Sequence, residues 1–217
     1  MPKILIVAAT KSEVEPILNY YNINVEGEGL FMAESGDDIS ALITGVGMVN
    51  TAFYMGRYSH NAFDYVINLG IAGAFNRTIK LGEVVNVTAD TLSEMGAEDG
   101  DDFIKYPDLN LGGTNSYVNE SNLNNIHLSR LRNVKSITVN KVHGNEKSID
   151  KTIKLFNPDV ESMEGAAFMK AASRLSADFI QLRAISNYVE KRDKSKWDIP
   201  TAIKNLNSVA LEFIQSL

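Results

Sequence analysis

A chain of 217 residues with 21 Lys and Arg against 27 Asp and Glu carries a net charge of −6. It has no basic run to line a nucleic-acid groove or an anionic membrane surface. No cysteine is present, which excludes disulfides and thiolate metal sites, and His60, His127 and His143 are too widely spaced for an HExxH-type zinc site.

The length suits one α/β domain spanning 1–217. Met1-Pro2-Lys3 runs straight into a short apolar segment without the flanks of a signal peptide, and no segment approaches a membrane span. A soluble cytoplasmic protein is expected, with no metal.

Ile4 to Ala9 is a nearly continuous apolar run, the pattern of a strand covered on both faces. Thr10-Lys11-Ser12-Glu13 then matches a capping box that opens a helix. Ile39 to Ile43 reads as a strand, followed by a Gly45-Val46-Gly47 turn and a helix from Met48 to Tyr58. A third strand, Tyr65 to Leu69, is expected to end in a turn at Gly70-Ile71-Ala72-Gly73. Val84 to Thr88 is a fourth strand. Leu111 to Asn125, rich in Asn, Ser and Gly, reads as a long surface loop, either idle or serving as a lid or interface. Val134 to Val142 and Phe179 to Ile185 complete the expected strands, with a helix over 161–175 between them. The last helix, Ala202 to Ile214, has Asp198 as its N-cap and Pro200 in its first turn.

This alternation predicts a three-layer α/β sandwich: a central mixed, mainly parallel sheet flanked by helices. Ligands in such sheets bind beyond the carboxyl ends of the strands. The polar clusters after Ala9, Thr44, Leu69 and Ile185 lie there.

Glu161 and Glu164 stand out among Val160, Met163, Ala166, Ala167 and Phe168. On a helix over 161–175 they share one face. Ionised carboxylates are rarely buried without a partner, so the pair asks for a ligand, a cation or a helix dipole in the first turn.

Four motifs fall in order over almost the whole chain: Gly45-Val46-Gly47-Met48-Val49-Asn50-Thr51-Ala52, Asn68-Leu69-Gly70-Ile71-Ala72-Gly73, Ser162-Met163-Glu164-Gly165-Ala166-Ala167, and Arg183-Ala184-Ile185-Ser186-Asn187. In this set the chain resembles the purine nucleoside phosphorylase and nucleosidase superfamily. Ser93 to Glu98 and the tail from Arg183 to Pro200 resemble its futalosine hydrolase group. None of the glycine turns is a dinucleotide fingerprint or a P-loop.

The resemblance implies cleavage of an N-glycosidic bond without a cofactor, on a small nucleoside. Futalosine is the expected substrate, giving hypoxanthine in menaquinone biosynthesis. Methylthioadenosine/S-adenosylhomocysteine nucleosidase is the rival chemistry. A phosphorylase or a nucleoside-binding protein without turnover also stays open.

By the same resemblance Glu164 grips the ribose 2′ and 3′ hydroxyls and Met163 packs on the sugar. Glu13 activates water, although the capping box alone would explain it. Ser186 and Asn187 face the purine, with Ala72 and Gly73 lining the site. Adenine-directed members carry aspartate at the position of Asn187. An amide donates to N7 or a 6-oxo group but supplies no proton, which suits a 6-oxopurine.

Phosphorylases need arginines for phosphate. Here one expected position is Asn68, the other region offers Lys11, Ser12 and Glu13, and Arg57 is the remaining candidate. Trp197, the only Trp, is expected either to close over the sugar or base or to anchor the last helix in the core. Lys191, Arg192, Lys194 and Lys196 beside it form a charge run that reads first as a solvated face and otherwise offers the cations for a 5′ carboxylate, with Arg57 and His143 as lesser candidates. The resemblance also implies a homodimer or larger homo-oligomer.

Overall fold

Residues 4–8 are all buried and form β1 (Ile4–Ala8), after which Thr10 caps α1 (Lys11–Tyr20). The chain continues through β2 (Gly29–Met32), β3 (Ile39–Ile43), α2 (Met48–Arg57), β4 (Tyr65–Ala74) and β5 (Val84–Leu92). A small hairpin, β6 (Gly96–Asp99) and β7 (Asp102–Lys105), precedes β8 (Ser116–Val118) and α3 (Ile126–Ser129). The remainder is β9 (Arg132–Thr138), α4 (Glu146–Phe156), β10 (Val160–Ser162), α5 (Gly165–Ala172), β11 (Asp178–Tyr188) and α6 (Ile199–Gln215). This computed structural model describes residues 2–33, 38–119, 123 and 125–217.

The main sheet runs β10-β9-β5-β11-β4-β1-β3-β2, with β8 on β5. Parallel pairing joins β3, β1, β4 and β11 at its centre; β11 meets β5, and β2 meets β3, antiparallel. β10 pairs with both β9 and β4, so these strands curl back into a ring. One face packs on α1 and α6 through Val14, Ile17, Leu206 and Phe213. The other packs on α2 and α5 through Met55, Phe168 and Met169. The expected three-layer sandwich with a mixed sheet is what the chain forms. No helix among the described residues is long and apolar enough to cross a membrane.

Four expectations are corrected. The helix expected over 161–175 begins only at Gly165, because Val160–Ser162 is drawn into β10 by partners on both sides. Glu161 and Glu164 therefore do not share a helix face. Gly70 to Gly73 is no turn but the second half of β4, paired with β11 throughout. The segment 111–125 contains β8; its residues 120–122 and 124 lie outside the described residues. The strand expected from Val134 to Val142 ends at Thr138, which frees 139–145 to cross the sheet's end.

Candidate active site

At the carboxyl ends of β1, β4 and β11 lies a cavity of about 400 Å³, the size of a small-molecule pocket. All eight residues expected from the sequence line it: Glu13, Ala72, Gly73, Met163, Glu164, Ser186, Asn187 and Trp197.

Glu13 is both cap and cavity wall. Its Oε2 accepts the Thr10 N–H and the Thr10 hydroxyl, each at 3.0 Å, which closes the capping box. Its Oε1 turns the other way and accepts the Ile71 N–H at 3.2 Å. The helix beneath it contains Pro16, which has no N–H to donate, and the buried Asn207 amide of α6 reaches its backbone there. Asn207 Nδ2 donates to the Glu13 carbonyl at 2.9 Å, and its Oδ1 accepts the Ile17 N–H at 3.3 Å. Both backbone groups are thereby satisfied and Glu13 is fixed.

Behind Glu13 stands Arg183, fully buried, its Nη2 on Asn68 Oδ1 at 2.5 Å and Nη1 on the Leu182 carbonyl at 3.1 Å. A Cβ on Gly70 would lie 3.1 Å from Glu13 Oε1 and 3.3 Å from Arg183 Nη1. A side chain there would press on both groups, so the bare Cα favours their close approach to the strand. Burial raises the Glu13 pKa above the ordinary glutamate value, and Glu164 adds to it; Arg183 and the bonds from Ile71 and Thr10 oppose. The result is a carboxylate whose basicity exceeds that of a free side chain.

Glu164 is the N-cap of α5. Its Oε1 accepts the Gly47 N–H at 2.9 Å and its Oε2 the Met163 N–H at 3.2 Å. Gly47 has φ of 100°, a conformation that favours glycine, and this aims its N–H at the carboxylate. Below α5 lies a buried polar platform. Thr138 Oγ1 accepts the Ala166 N–H at 2.7 Å and donates to Asp90 at 2.8 Å, while Gln181 donates to the other Asp90 oxygen at 2.9 Å. Any side chain at Gly165 would collide with Asp90 and Gln181. This platform sets the height of Glu164 and was not visible in the sequence.

The register of β11 on β4 slips between Ile185 and Asn187, leaving Ser186 as the extra residue. The bulge turns Asn187 into the cavity. The Ser186 hydroxyl donates to Asn187 Oδ1 at 2.9 Å, and Asn187 Nδ2 donates to the Tyr188 carbonyl at 3.0 Å. The Ser186 carbonyl accepts the Asp198 N–H at 2.8 Å, which ties the start of α6, and Trp197 with it, to the same bulge.

Two charged lining residues add to those eight. Arg192, one of a run of cations, stacks on the Trp197 ring at 4.7 Å and lines the cavity. Lys196 instead joins Arg77 on Glu190 at the surface. Glu161 is buried and also lines the cavity. Arg57, exposed at the end of α2, lies over Tyr58 and is not among the lining residues.

The arrangement is matched by kinship. The family model of the phosphorylase superfamily covers residues 3–215. A futalosine hydrolase of Thermus thermophilus is 30% identical over 172 residues, 76% of each chain. Two solved structures share the fold. A futalosine hydrolase of Helicobacter pylori has a TM-score of 0.84 at 14% identity, over 100% of this chain and 98% of that one. A 5′-methylthioadenosine/S-adenosylhomocysteine nucleosidase of Neisseria meningitidis, bound to methylthio-immucillin-A, has a TM-score of 0.80 at 19% identity over the whole of both chains. The chain belongs to the phosphorylase superfamily, in the group of the futalosine hydrolases.

Proposed function

We propose that this chain is a single-domain nucleosidase that hydrolyses futalosine to hypoxanthine and dehypoxanthine futalosine, in the cytoplasm, as a step of menaquinone biosynthesis. The observation that carries the reading is Glu13: an enclosed carboxylate of raised pKa, facing a cavity that holds Glu164 on another wall. Water held by Glu13 attacks the sugar C1′ as the C1′–N9 bond breaks. The water's proton goes to Glu13, and the bonding pair leaves with the purine, which takes a proton from solvent. Glu164 accepts from the ribose hydroxyls and stabilises positive charge on the ring. Asn187 donates to the leaving base.

Water rather than phosphate as nucleophile is supported by charge. Among the described residues Glu13, Glu161 and Glu164 line the cavity, and Arg192 is its one lining cation, beside Trp197. Carboxylates beside the nucleophile's place repel phosphate. Hypoxanthine release from futalosine, inosine and methylthioadenosine, each with and without phosphate, tests the reading. Fast release from futalosine, indifferent to phosphate, is the expected result. Dependence on phosphate or preference for methylthioadenosine overturns it.

Arg192 is the group for the carboxylate of the 5′ arm. Its contact with the Trp197 ring, 4.7 Å from Cζ to the centroid, keeps the guanidinium at the cavity wall. Arg192→Met should raise KM for futalosine about tenfold, the loss of one charge-assisted bond at an exposed site. Inosine, which lacks the carboxylate, should be cleaved as before. Equal effects on both substrates would remove Arg192 from this role.

A second copy of the chain is the expected partner. Val46, just before α2 and part of the cavity wall, and Val49 and Phe53 on α2 are exposed apolar side chains at 52%, 75% and 58% exposure. Sedimentation at micromolar concentration should give at least twice the monomer mass; a monomer would refute it.

A further inference from the structure

Glu161 is a buried carboxylate that the scheme above does not use. It sits in β10 directly across from Gly73 of β4, and Gly73 is paired on its other side with Asn187 of β11. Three adjacent strands thus place Glu161 and Asn187 on either side of one glycine. A Cβ on Gly73 would lie 3.2 Å from Asn187 Nδ2 and 3.6 Å from Glu161 Cγ. Val189 Cγ2 would be nearer still, at 3.1 Å, so the bare glycine lets these side chains close in and sets Glu161 and Asn187 side by side on one wall of the cavity.

Both oxygens of Glu161 are held by His143. Its Oε1 accepts the His143 N–H at 3.0 Å and its Oε2 meets His143 Nδ1 at 2.6 Å. His143 Nε2 is engaged by Thr152 Oγ1 at 2.9 Å, and the ring stands edge-on to Phe75. Nδ1 therefore donates to the carboxylate. Each oxygen keeps a lone pair beyond its bond to His143.

We infer that Glu161, aimed by His143, is a specificity residue that accepts the N1–H of a 6-oxopurine and rejects a 6-aminopurine. The inference rests on reading the cavity as a nucleoside site. The chemistry is a polarity match. A 6-oxopurine presents N1–H as donor and O6 as acceptor; a 6-aminopurine presents N1 as acceptor and N6–H as donor. A fixed carboxylate at N1 pairs with the first and faces a lone pair in the second. Asn187 alone does not discriminate: its Oδ1 takes the Ser186 hydroxyl and its Nδ2 gives one N–H to the Tyr188 carbonyl, and the second N–H can meet N7, which is an acceptor in both bases. A site with an acceptor-only group discriminates far more strongly than one that merely accommodates shape.

The test is the ratio of kcat/KM for futalosine over its 6-amino analogue, which differ only at the base. Wild type should favour the 6-oxo substrate strongly. Glu161→Gln should reduce that ratio at least tenfold, mostly through KM, and His143→Gln, which keeps the carboxylate but removes the ring that aims it, should reduce it by a smaller factor. A purely structural Glu161 would depress both substrates alike and leave the ratio unchanged, overturning the inference. Failure of wild type to cleave either substrate would sink the nucleosidase reading instead. If Glu161→Gln does not fold, competition on wild type decides. Hypoxanthine should inhibit at least tenfold better than its isosteric analogue with C–H in place of N1–H, and equal inhibition overturns the inference.

Discussion

Glu13→Gln should lower kcat by about 10²- to 10⁴-fold with KM for futalosine changed only a few fold, the range for loss of a positioned general base. The amide keeps the shape of the side chain and one accepting oxygen but takes no proton from water. The competing role is the cap. The structure shows the cap, with Oε2 closing the box on Thr10, and sets Oε1 toward Ile71 at the cavity wall. Magnitude separates them. A cap is worth roughly 0.5–2 kcal/mol of stability and nothing in the chemical step. Turnover within a few fold of wild type, together with a lowered unfolding midpoint, would leave Glu13 as a cap alone.

The pH profile gives a second reading of the same residue. The base works ionised, and burial, then Glu164, raise its pKa above that of an ordinary glutamate despite Arg183 and the bonds from Ile71 and Thr10. The acid limb of kcat/KM should therefore fall through a value above the usual glutamate range and be absent from the residual activity of Glu13→Gln. For stability the sign is opposite. A carboxylate with a raised folded-state pKa holds its proton more tightly folded than unfolded, so its ionisation costs stability as pH rises. The neutral Gln avoids that cost.

The motifs located the cavity residues because they sit at strand ends and helix starts, where local pattern and function coincide. Thr10 to Glu13, Asp198 with Pro200, and the strand ending near Ser186 were legible for that reason. What escaped was set by partners distant in sequence. Val160–Ser162 looks helical by composition, yet its edges are claimed by β9 and β4. Gly70 to Gly73 carries glycines that suggest a turn, but they serve close approach: Glu13 and Arg183 against Gly70, Glu161 and Asn187 against Gly73. α4 was missed altogether: Glu146–Phe156 has mostly polar residues and buries only Thr152 fully. Arg192 was lost among neighbouring cations until the Trp197 ring singled it out.

Glu164→Ala should lower kcat/KM by about 10²- to 10³-fold, the usual effect of removing one group aimed at charge that develops in the transition state. The residue also caps α5, and a carboxylate at a helix N-terminus gains about 0.3–1 kcal/mol from the dipole. That much, even if wholly transmitted to the reaction, corresponds to a factor of about five, too little for the expected loss. A 2′-deoxy substrate makes the distinction direct. Wild type should cleave it far more slowly than the ribo-form, because one of the hydroxyls reaching Glu164 is gone. In Glu164→Ala that penalty should largely vanish, since the partner is already missing, as a double-mutant cycle between enzyme and substrate requires. A penalty of equal size in both proteins would mean that Glu164 holds Gly47 and Met163 in place and never meets the sugar. Gly47→Ala gives the converse. Its φ of 100° does not suit a side chain, so the N–H would swing off the carboxylate. Activity should then fall through misplacement of Glu164, while the penalty for the 2′-deoxy substrate shrinks only in part.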